Sequence, residues 1–310
     1  MPPALHAPSN VPTRSLALIN QKGGVGKTTT TVNLAAALAL AGKSTLLIDL
    51  DPQAHATLHL GVEPSSTTAS VYDVLLDPSR STVTSAVVNV RPNLDLLPAE
   101  VDLAAAESEL ANEPDRHNRL STALSHLQNK YDFLLIDCPP SLGLLTLNAL
   151  ATAREVVVPM QAHFLALQGL SKLLETVSLV ARSANPRLRI SGVVLCMHED
   201  VTKLSREVVA DLESFFAEAR KEGAPDLPWR NARVYRPPVR RNIKLAECPS
   251  FGQTIFEYAP SAPGAQDYKD LAASVIAEWD AVLSRMNTRR APSTSEPAEI
   301  VTTTDPARVH

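Results

Sequence analysis

Short apolar runs alternate with amphipathic stretches along most of the chain. The apolar runs predict strands at 15–20, 44–50, 94–99, 133–137, 154–160 and 188–197. The amphipathic stretches predict helices at 27–41, 115–130, 203–222 and about 265–286, and one more with Leu170, Leu173, Leu174 and Val177 on one face. This alternation indicates a single α/β domain, in which a mostly parallel, twisted sheet carries helices on both faces.

The two ends of the chain differ in composition from the part between them. Residues 1–13 hold several prolines and no apolar core, so we expect a flexible lead-in and not a signal peptide. Residues 287–310 are rich in Ser, Thr and Pro and contain almost no large apolar side chains, which predicts a disordered tail. The folded domain is therefore predicted to span residues 14–286.

The net charge, the cysteines and the apolar runs limit which ligands and surroundings the sequence allows. The net charge of −4 means that any contact with nucleic acid must come from a local basic patch. The three cysteines, Cys138, Cys196 and Cys248, are too widely spaced for a disulfide framework or a zinc site, so a reducing cytoplasm is expected. No apolar run reaches the roughly 18 residues that a membrane span requires, and no membrane contact is expected.

A glycine-rich loop, NQKGGVGKTTTT, follows the first predicted strand and leads into the first predicted helix. Strand, loop and helix in this order are the context of a phosphate-binding loop, whose usual pattern is G-x-x-x-x-G-K-[ST]. Gly26, Lys27 and Thr28 supply the second half of that pattern, whereas Gln21 stands where its first glycine belongs. We expect Lys27 to reach the β and γ phosphates and the Thr28 hydroxyl to bind Mg²⁺.

Acidic residues end two further predicted strands. Asp137 follows the run FLLI, and Asp49 and Asp51 close the run LLIDLD. Parallel strands place their carboxyl ends at one edge of the sheet, so these carboxylates are predicted to lie beside the phosphate-binding loop. Asp137 would hold Mg²⁺ there. The alternative for Asp49 and Asp51 is a helix-capping role without a ligand.

Five motifs in the correct order resemble the ParA/MinD family of P-loop ATPases. They are KGGVGKTT, IDLDPQAHATLHLG, LLIDCPPSLGLLTLNAL, QAHFLALQGLSKLLETV and the segment from RRNIKLAECPSFG to GAQDYKDLA. Together the resemblance covers roughly residues 14–286. Small residues of the family pattern are replaced by His55 and His59, which are interpreted as surface or packing side chains.

The resemblance implies ATP and Mg²⁺ as cofactors and assigns roles to single residues. Lys22, the signature lysine, is implied to reach the partner's nucleotide across an ATP-dependent homodimer. Asp51 is implied to position the attacking water, with Asp49 in support. The nucleotide would be held by residues of the loop and by one side chain far along the chain: Gly23, Gly24, Val25, Gly26, Lys27, Thr28, Thr29 and Asn242.

The resemblance also implies a role in DNA segregation. The segment 230–244 contains six Lys or Arg residues and no acidic residue, which indicates a DNA-binding patch or, alternatively, a solvated run of charge without a partner. The predicted DNA contacts are Arg206, Arg240, Arg241 and Lys244. The sequence departs from the family pattern at two positions near these residues. Arg240 replaces a proline of the pattern, and Val201 replaces an arginine.

The implied protein is a cytoplasmic, nucleoid-associated ATPase that moves a chromosome or plasmid. A short lead-in leaves no space for a helix-turn-helix domain, so DNA binding is expected to lack sequence specificity. A ParB-like centromere-binding partner would stimulate ATP hydrolysis and release the protein from DNA. Two alternatives from other classes stay open at this point, namely a MinD-like regulator of cell division at the membrane surface and a metabolic ATP-dependent ligase.

Overall fold

The computed structural model describes residues 11–290, except 128, 200–202 and 223. Within these residues the strands are β1 (Arg14–Leu18), β2 (Thr45–Asp49), β3 (Val88–Arg91), β4 (Leu94–Leu97), β5 (Phe133–Asp137), β6 (Glu155–Met160), β7 (Arg189–Leu195) and β8 (Arg233–Val234). They form one sheet in the order β3-β4-β2-β5-β1-β6-β7-β8. Neighbouring strands run parallel, with the exception of β3 and β4, which form an antiparallel hairpin.

The helices of the described residues lie on both faces of this sheet. They are α1 (Lys27–Leu40), α2 (His55–His59), α3 (Val71–Leu76), α4 (Arg80–Ala86), α5 (Ala106–Glu109), α6 (Arg119–Ser125), α7 (Leu144–Thr152), α8 (Phe164–Ser183), α9 (Lys203–Glu222), α10 (Lys244–Glu247), α11 (Ile255–Tyr258) and α12 (Pro263–Arg290). One apolar core contains residues of α1 and α12, and the core of the opposite face contains residues of α6 to α9. The predicted fold class is confirmed.

Several predicted elements differ from the observed ones in length. The strand at 133–137 and the helix at 203–222 have the predicted bounds. The helix predicted at 115–130 is wrong in extent, since α6 covers only Arg119–Ser125. Helix α12 continues to Arg290, four residues past the predicted domain end at 286. Residues 1–10 of the predicted lead-in and 291–310 of the predicted tail lie outside the described residues.

The topology brings the carboxyl ends of the central strands together. Strand β5 lies between β1 and β2, and Asp137 at its end pairs with Leu18 on one side and Asp49 on the other. We call this edge the carboxyl edge of the sheet, and the edge where the parallel strands begin the amino edge. Among the described residues, no helix is long and apolar enough to cross a membrane.

Candidate nucleotide-binding site

The glycine-rich loop joins β1 to α1 at the carboxyl edge. Gly24 and Gly26 have φ angles of 72° and 91°, a left-handed conformation that other residues rarely adopt. A Cβ atom on Gly26 would also lie 3.2 Å from the Cβ of Cys196. Helix α1 starts directly after Gly26, and no side chain caps its N-terminus. The first-turn N–H groups and the helix dipole therefore suit a bound anion.

Lys27 is the first residue of α1 and is only 8% exposed. Among the described residues no carboxylate lies within ion-pair distance of its ammonium group. It is nevertheless close enough to Asp137 for its charge to act on that carboxylate. A buried cation without an ion pair is costly, and a phosphate group would remove that cost.

Asp137 is fully buried and accepts two hydroxyl hydrogen bonds. Thr28 donates to Oδ2 and Thr31 donates to Oδ1, each at 2.7 Å. Burial raises the pKa of Asp137, and the charge of Lys27 and the two hydroxyls oppose that rise. Thr28 and Asp137 thus lie together, as the sequence predicts for the magnesium ligands. Thr31, which the sequence analysis missed, holds the second carboxylate oxygen.

No group of three or more His, Cys, Asp or Glu side chains suited to a metal occurs in the described part of the chain. The oxygen pair of Thr28 and Asp137 still fits Mg²⁺, because this ion commonly uses one or two protein oxygens and takes its other ligands from phosphates and water.

Asp49, at the end of β2, accepts three hydrogen bonds, one more than Asp137 accepts. It accepts hydrogen bonds from the backbone N–H of Asp51 at 3.2 Å and from the N–H and hydroxyl of Thr57, each at 2.8 Å. Burial and the neighbouring charge of Asp137 raise the pKa of Asp49 to about 7. The Thr57 hydroxyl also accepts from the N–H of Ala99 at 3.0 Å. Thr57 was missed by the sequence analysis.

Asp51 lies in the turn between β2 and α2 and is 7% exposed. Its side chain accepts from the N–H of Gln53 at 3.0 Å, and its carbonyl accepts from the N–H of Ala54 at 2.8 Å. Ala54 closes the turn with a φ of 52°, in the left-handed region. The turn therefore holds Asp51 at the carboxyl edge, close enough for its charge to act on Asp137.

Lys22 is exposed on the outer side of the loop. Its Nζ lies 2.7 Å from Nε2 of His163, and its backbone N–H donates to the side chain of Asn20 at 3.0 Å. The two side chains border a cavity of about 240 Å³, which Val25 also lines. The Lys22 side chain therefore reaches His163, the residue before α8. Gly23, beside it, is exposed with open space around it.

A second cavity, of about 400 Å³, continues from the phosphate-binding loop. Gly26, Thr29, Cys196, Asn242 and Tyr268 are among its lining residues. The amide Nδ2 of Asn242 is buried and has no hydrogen-bond partner in the described part of the structure. An unpaired amide beside an apolar wall suits the polar edge of a nucleotide base. Asn242 thus lines the same cavity as Gly26 of the phosphate-binding loop.

The cations predicted to bind DNA are mostly engaged in ion pairs. Arg240 contacts the buried carboxylate of Asp267 at 2.7 Å, and the exposed Arg241 contacts Glu199 at 2.9 Å. Lys244 contacts Glu247 at 2.8 Å, three residues along the chain. Arg206 on α9 is exposed. The acidic partners lie outside the acid-free segment 230–244, so the sequence pattern did not reveal these pairs.

The profile of the AAA domain family matches residues 13–190. The sporulation initiation inhibitor protein Soj of Bacillus subtilis (strain 168) is 44% identical over 84% of this chain and 98% of the relative. The chromosome-partitioning ATPase Soj of Treponema pallidum (strain Nichols) is 42% identical over 85% of this chain and 97% of the relative. The similarity therefore extends well past the AAA domain.

A solved structure with the same fold is the cobyrinic acid a,c-diamide synthase of Mycobacterium smegmatis with bound ADP and magnesium. The TM-score is 0.71 and the identity 36%, and the match covers 87% of this chain and 96% of the synthase. A chain with this backbone thus accommodates a nucleotide and magnesium.

Proposed function

Because the chain belongs to the Soj/ParA family of chromosome-partitioning ATPases, we propose that it hydrolyses Mg²⁺-ATP at the carboxyl edge and uses this cycle to segregate DNA. The observation that carries the chemical part is the buried Lys27, which forms no ion pair within the described residues and stands at the start of α1 beside Asp137. A triphosphate supplies the anion that this lysine lacks.

Each residue at the carboxyl edge has a separate role in the proposed phosphoryl transfer. Backbone N–H groups of the loop and Lys27 bind the phosphates and stabilise negative charge. Thr28 and Asp137 hold Mg²⁺, which supplies charge stabilisation at the phosphate oxygens. Asp51 orients the attacking water, and Asp49 fixes the backbone of Asp51 through a hydrogen bond.

The exposed position of Lys22 supports a role in a homodimer. Its side chain is exposed and contacts His163. ATP carries more negative charge than one Mg²⁺ neutralises, so a cation from a second subunit would stabilise the transferring phosphoryl group. ATP would then join two subunits at their carboxyl edges, and hydrolysis would separate them.

The dimer would bind duplex DNA through phosphate contacts without base readout. Arg206, Arg241 and Lys244 are the proposed contacts, since their side chains are exposed or form only ion pairs at the surface. Arg240 is a special case because it neutralises the buried Asp267. A ParB-like partner bound to a centromere would stimulate hydrolysis. The protein would be cytoplasmic and nucleoid-associated.

The ATPase assignment is tested with two substitutions and one control. Lys27→Ala removes the buried cation and should abolish nucleotide binding. Asp51→Ala leaves the phosphate cradle intact and should retain ATP binding while hydrolysis falls by about 10²-fold or more. Lys43→Ala, beyond the far end of α1, is the charge-matched control. Normal turnover in the Asp51 variant would overturn its assigned role.

The DNA part is tested by fluorescence anisotropy at several salt concentrations, with ATP and with ADP. Replacing Arg206, Arg241 and Lys244 with Ala removes six cations per dimer, so the salt slope should flatten by about 5 units if each meets a phosphate. Arg240 is left in place, since its loss would strand a buried carboxylate. An unchanged slope would remove these residues from the DNA interface.

Co-sedimentation separates the proposal from its alternatives. We expect pelleting with DNA that ATP increases, and none with anionic liposomes. Liposome binding without DNA binding would favour a regulator at the membrane surface. Hydrolysis that needs a small carboxylic acid substrate and ignores DNA would favour a ligase, in line with the similarity to the diamide synthase.

A further inference from the structure

The amino edge of the sheet carries a second basic feature, far along the strands from the nucleotide site. Six arginines border one open cavity of about 580 Å³ there: Arg14, Arg154, Arg187, Arg189, Arg233 and Arg285. We call this feature the arginine cleft. Its members precede or begin β1, β6, β7 and β8 or lie near the end of α12. The fold therefore gathers them from distant parts of the sequence.

The acidic groups of the cleft are already neutralised by two of its arginines. Arg14, only 3% exposed, contacts Glu155 at 2.6 Å and Glu278 at 3.0 Å. Arg233 forms an ion pair with the same Glu278. The remaining four arginines form no ion pair within the described residues. The cleft therefore presents four uncompensated guanidinium groups.

Some of these guanidinium groups are held in place by the fold. Arg154 lies over the ring of Trp279 at 5.6 Å, and Trp279 itself is 4% exposed. Arg189 donates to the carbonyls of Pro186 at 3.0 Å and Leu188 at 2.8 Å. Ordering these side chains in advance lowers the entropy that a phosphate contact would cost.

The cleft continues into a second cavity, of about 460 Å³. Arg154 and Arg187 line both cavities, and the second one reaches Tyr131, two residues before β5. The joined groove thus crosses the ends of five adjacent strands, which lie in the order β5-β1-β6-β7-β8. At roughly 4.8 Å per strand this is about 20 Å. The same length of duplex DNA holds about six base pairs.

We propose that the arginine cleft is a DNA-binding surface separate from the one proposed near α10. It takes the sugar–phosphate backbone of duplex DNA, because planar guanidinium groups match phosphates and the groove is longer than a free nucleotide needs. It offers no base readout, since Trp279 is buried beneath Arg154 and cannot stack on a base.

A membrane surface fits the cleft less well than DNA does. The exposed large apolar side chains of the described residues are Val11, Leu40, Leu58, Val101, Leu179, Met197, Phe215, Ile243 and Phe251, and none of them lines either cavity. Stable binding at a lipid surface usually needs apolar insertion in addition to positive charge.

The inference rests on the proposed role in DNA segregation but differs from it in nucleotide dependence. Each cleft is complete within one chain, so its DNA binding should need no ATP. If two carboxyl edges face each other in the proposed dimer, the amino edges point outward. Each cleft would then hold a duplex of its own, apart from the one at the dimer surface.

The test compares a triple variant with a charge-matched control, without nucleotide. Arg187→Ala, Arg189→Ala and Arg285→Ala remove three exposed cations of the cleft. The control replaces the exposed residues Arg80 on α4, Lys172 on α8 and Lys269 in the first half of α12, none of which lines the cleft. Anisotropy with a 30-base-pair duplex at low salt should show about tenfold or greater loss for the cleft variant, and a salt slope flatter by about 2.7 units. The control should bind as the wild type does.

Three results would overturn the proposal. They are no binding of nucleotide-free wild type to DNA, an equal affinity of both variants, and binding to phosphatidylglycerol vesicles in preference to DNA. ATP hydrolysis of the cleft variant should equal that of the wild type, which shows that it folds. If ATP-dependent DNA binding were absent while the cleft variant still lost nucleotide-free binding, the proposed dimer switch would fail and the cleft would stand.

Discussion

Thr57→Val tests whether one buried hydroxyl holds Asp49 in place at the carboxyl edge. The Thr57 hydroxyl donates to Asp49 at 2.8 Å and accepts from the N–H of Ala99 at 3.0 Å. Valine has nearly the same shape but makes neither bond. Losing a hydrogen bond to a carboxylate and leaving a buried N–H unpaired should together lower the free energy of unfolding by about 3 kcal/mol.

The control is Thr57→Ser, which keeps the hydroxyl and removes one methyl group at a cost of about 1 kcal/mol. Urea unfolding followed by circular dichroism measures the free energy of unfolding of both variants. Because Asp49 also accepts from the N–H of Asp51, the valine variant should lose kcat as well, whereas the serine variant should keep it.

The hydrogen bond from Thr57 favours the charged form of Asp49, so its loss should raise the pKa of that carboxylate further. The pH profile of kcat should then move to higher pH in the valine variant alone. If the valine and serine variants match in stability, in kcat and in pH profile, the proposed support of Asp49 by the hydroxyl is refuted.

Three further predictions concern other parts of the molecule. Burial lowers the pKa of His59 to about 4, so the contribution of His59 to stability is present above pH 6.5 and is lost as the pH falls toward 4. The loss amounts to up to about 3 kcal/mol. Between pH 7.5 and pH 5, His59→Gln should reduce the loss of stability measured by urea unfolding, whereas the exposed control His55→Gln should not. Gly26→Ala should weaken ATP binding in a titration with a fluorescent analogue by about tenfold or more, because alanine disfavours a φ of 91°. Gly169→Ala, on α8 and with open space around it, is the control, and equal affinities of the two variants would contradict the argument. Mixing a Lys22→Ala protein with an Asp51→Ala protein should recover some ATP hydrolysis if Lys22 acts across the dimer, because one of the two sites of the heterodimer then has both residues. If both proteins dimerise and no hydrolysis returns, Lys22 acts in its own subunit or has no part in catalysis.

The sequence predicts the central strands and the phosphate-binding loop well because their signals are local. The strand at Phe133–Asp137 is a continuous apolar run that ends in a carboxylate, and it was predicted with its observed bounds. The hairpin of β3 and β4 was missed, although Pro92 and Asn93 form a two-residue turn and Asn93 has a φ of 60°. The signal for the hairpin lies in that turn, whereas the apolar run after it indicates only a single strand.

Roles that depend on distant partners could not be read from the sequence. Thr57 acts through Ala99, which lies 42 residues away. Arg240 finds its carboxylate, Asp267, 27 residues further along the chain. The arginine cleft joins residues from the starts of four strands and from the last helix. Such groupings follow from topology, because parallel strands are joined by long crossover connections and this sheet places β1 between β5 and β6.

The left-handed conformation of Ala54 affects both the folding stability of the turn at Asp51 and the conformational freedom of its backbone. Alanine at a φ of 52° stores about 1–2 kcal/mol of strain, which glycine would release. Glycine would also widen the range of conformations open to the unfolded chain, at a cost of about 0.4–1 kcal/mol. The strain is the larger of the two effects, so alanine lowers the free energy of unfolding relative to glycine. In the native turn, however, alanine permits fewer alternative backbone conformations than glycine does. The methyl group of Ala54 thus costs some folding stability and restricts the backbone beside Asp51.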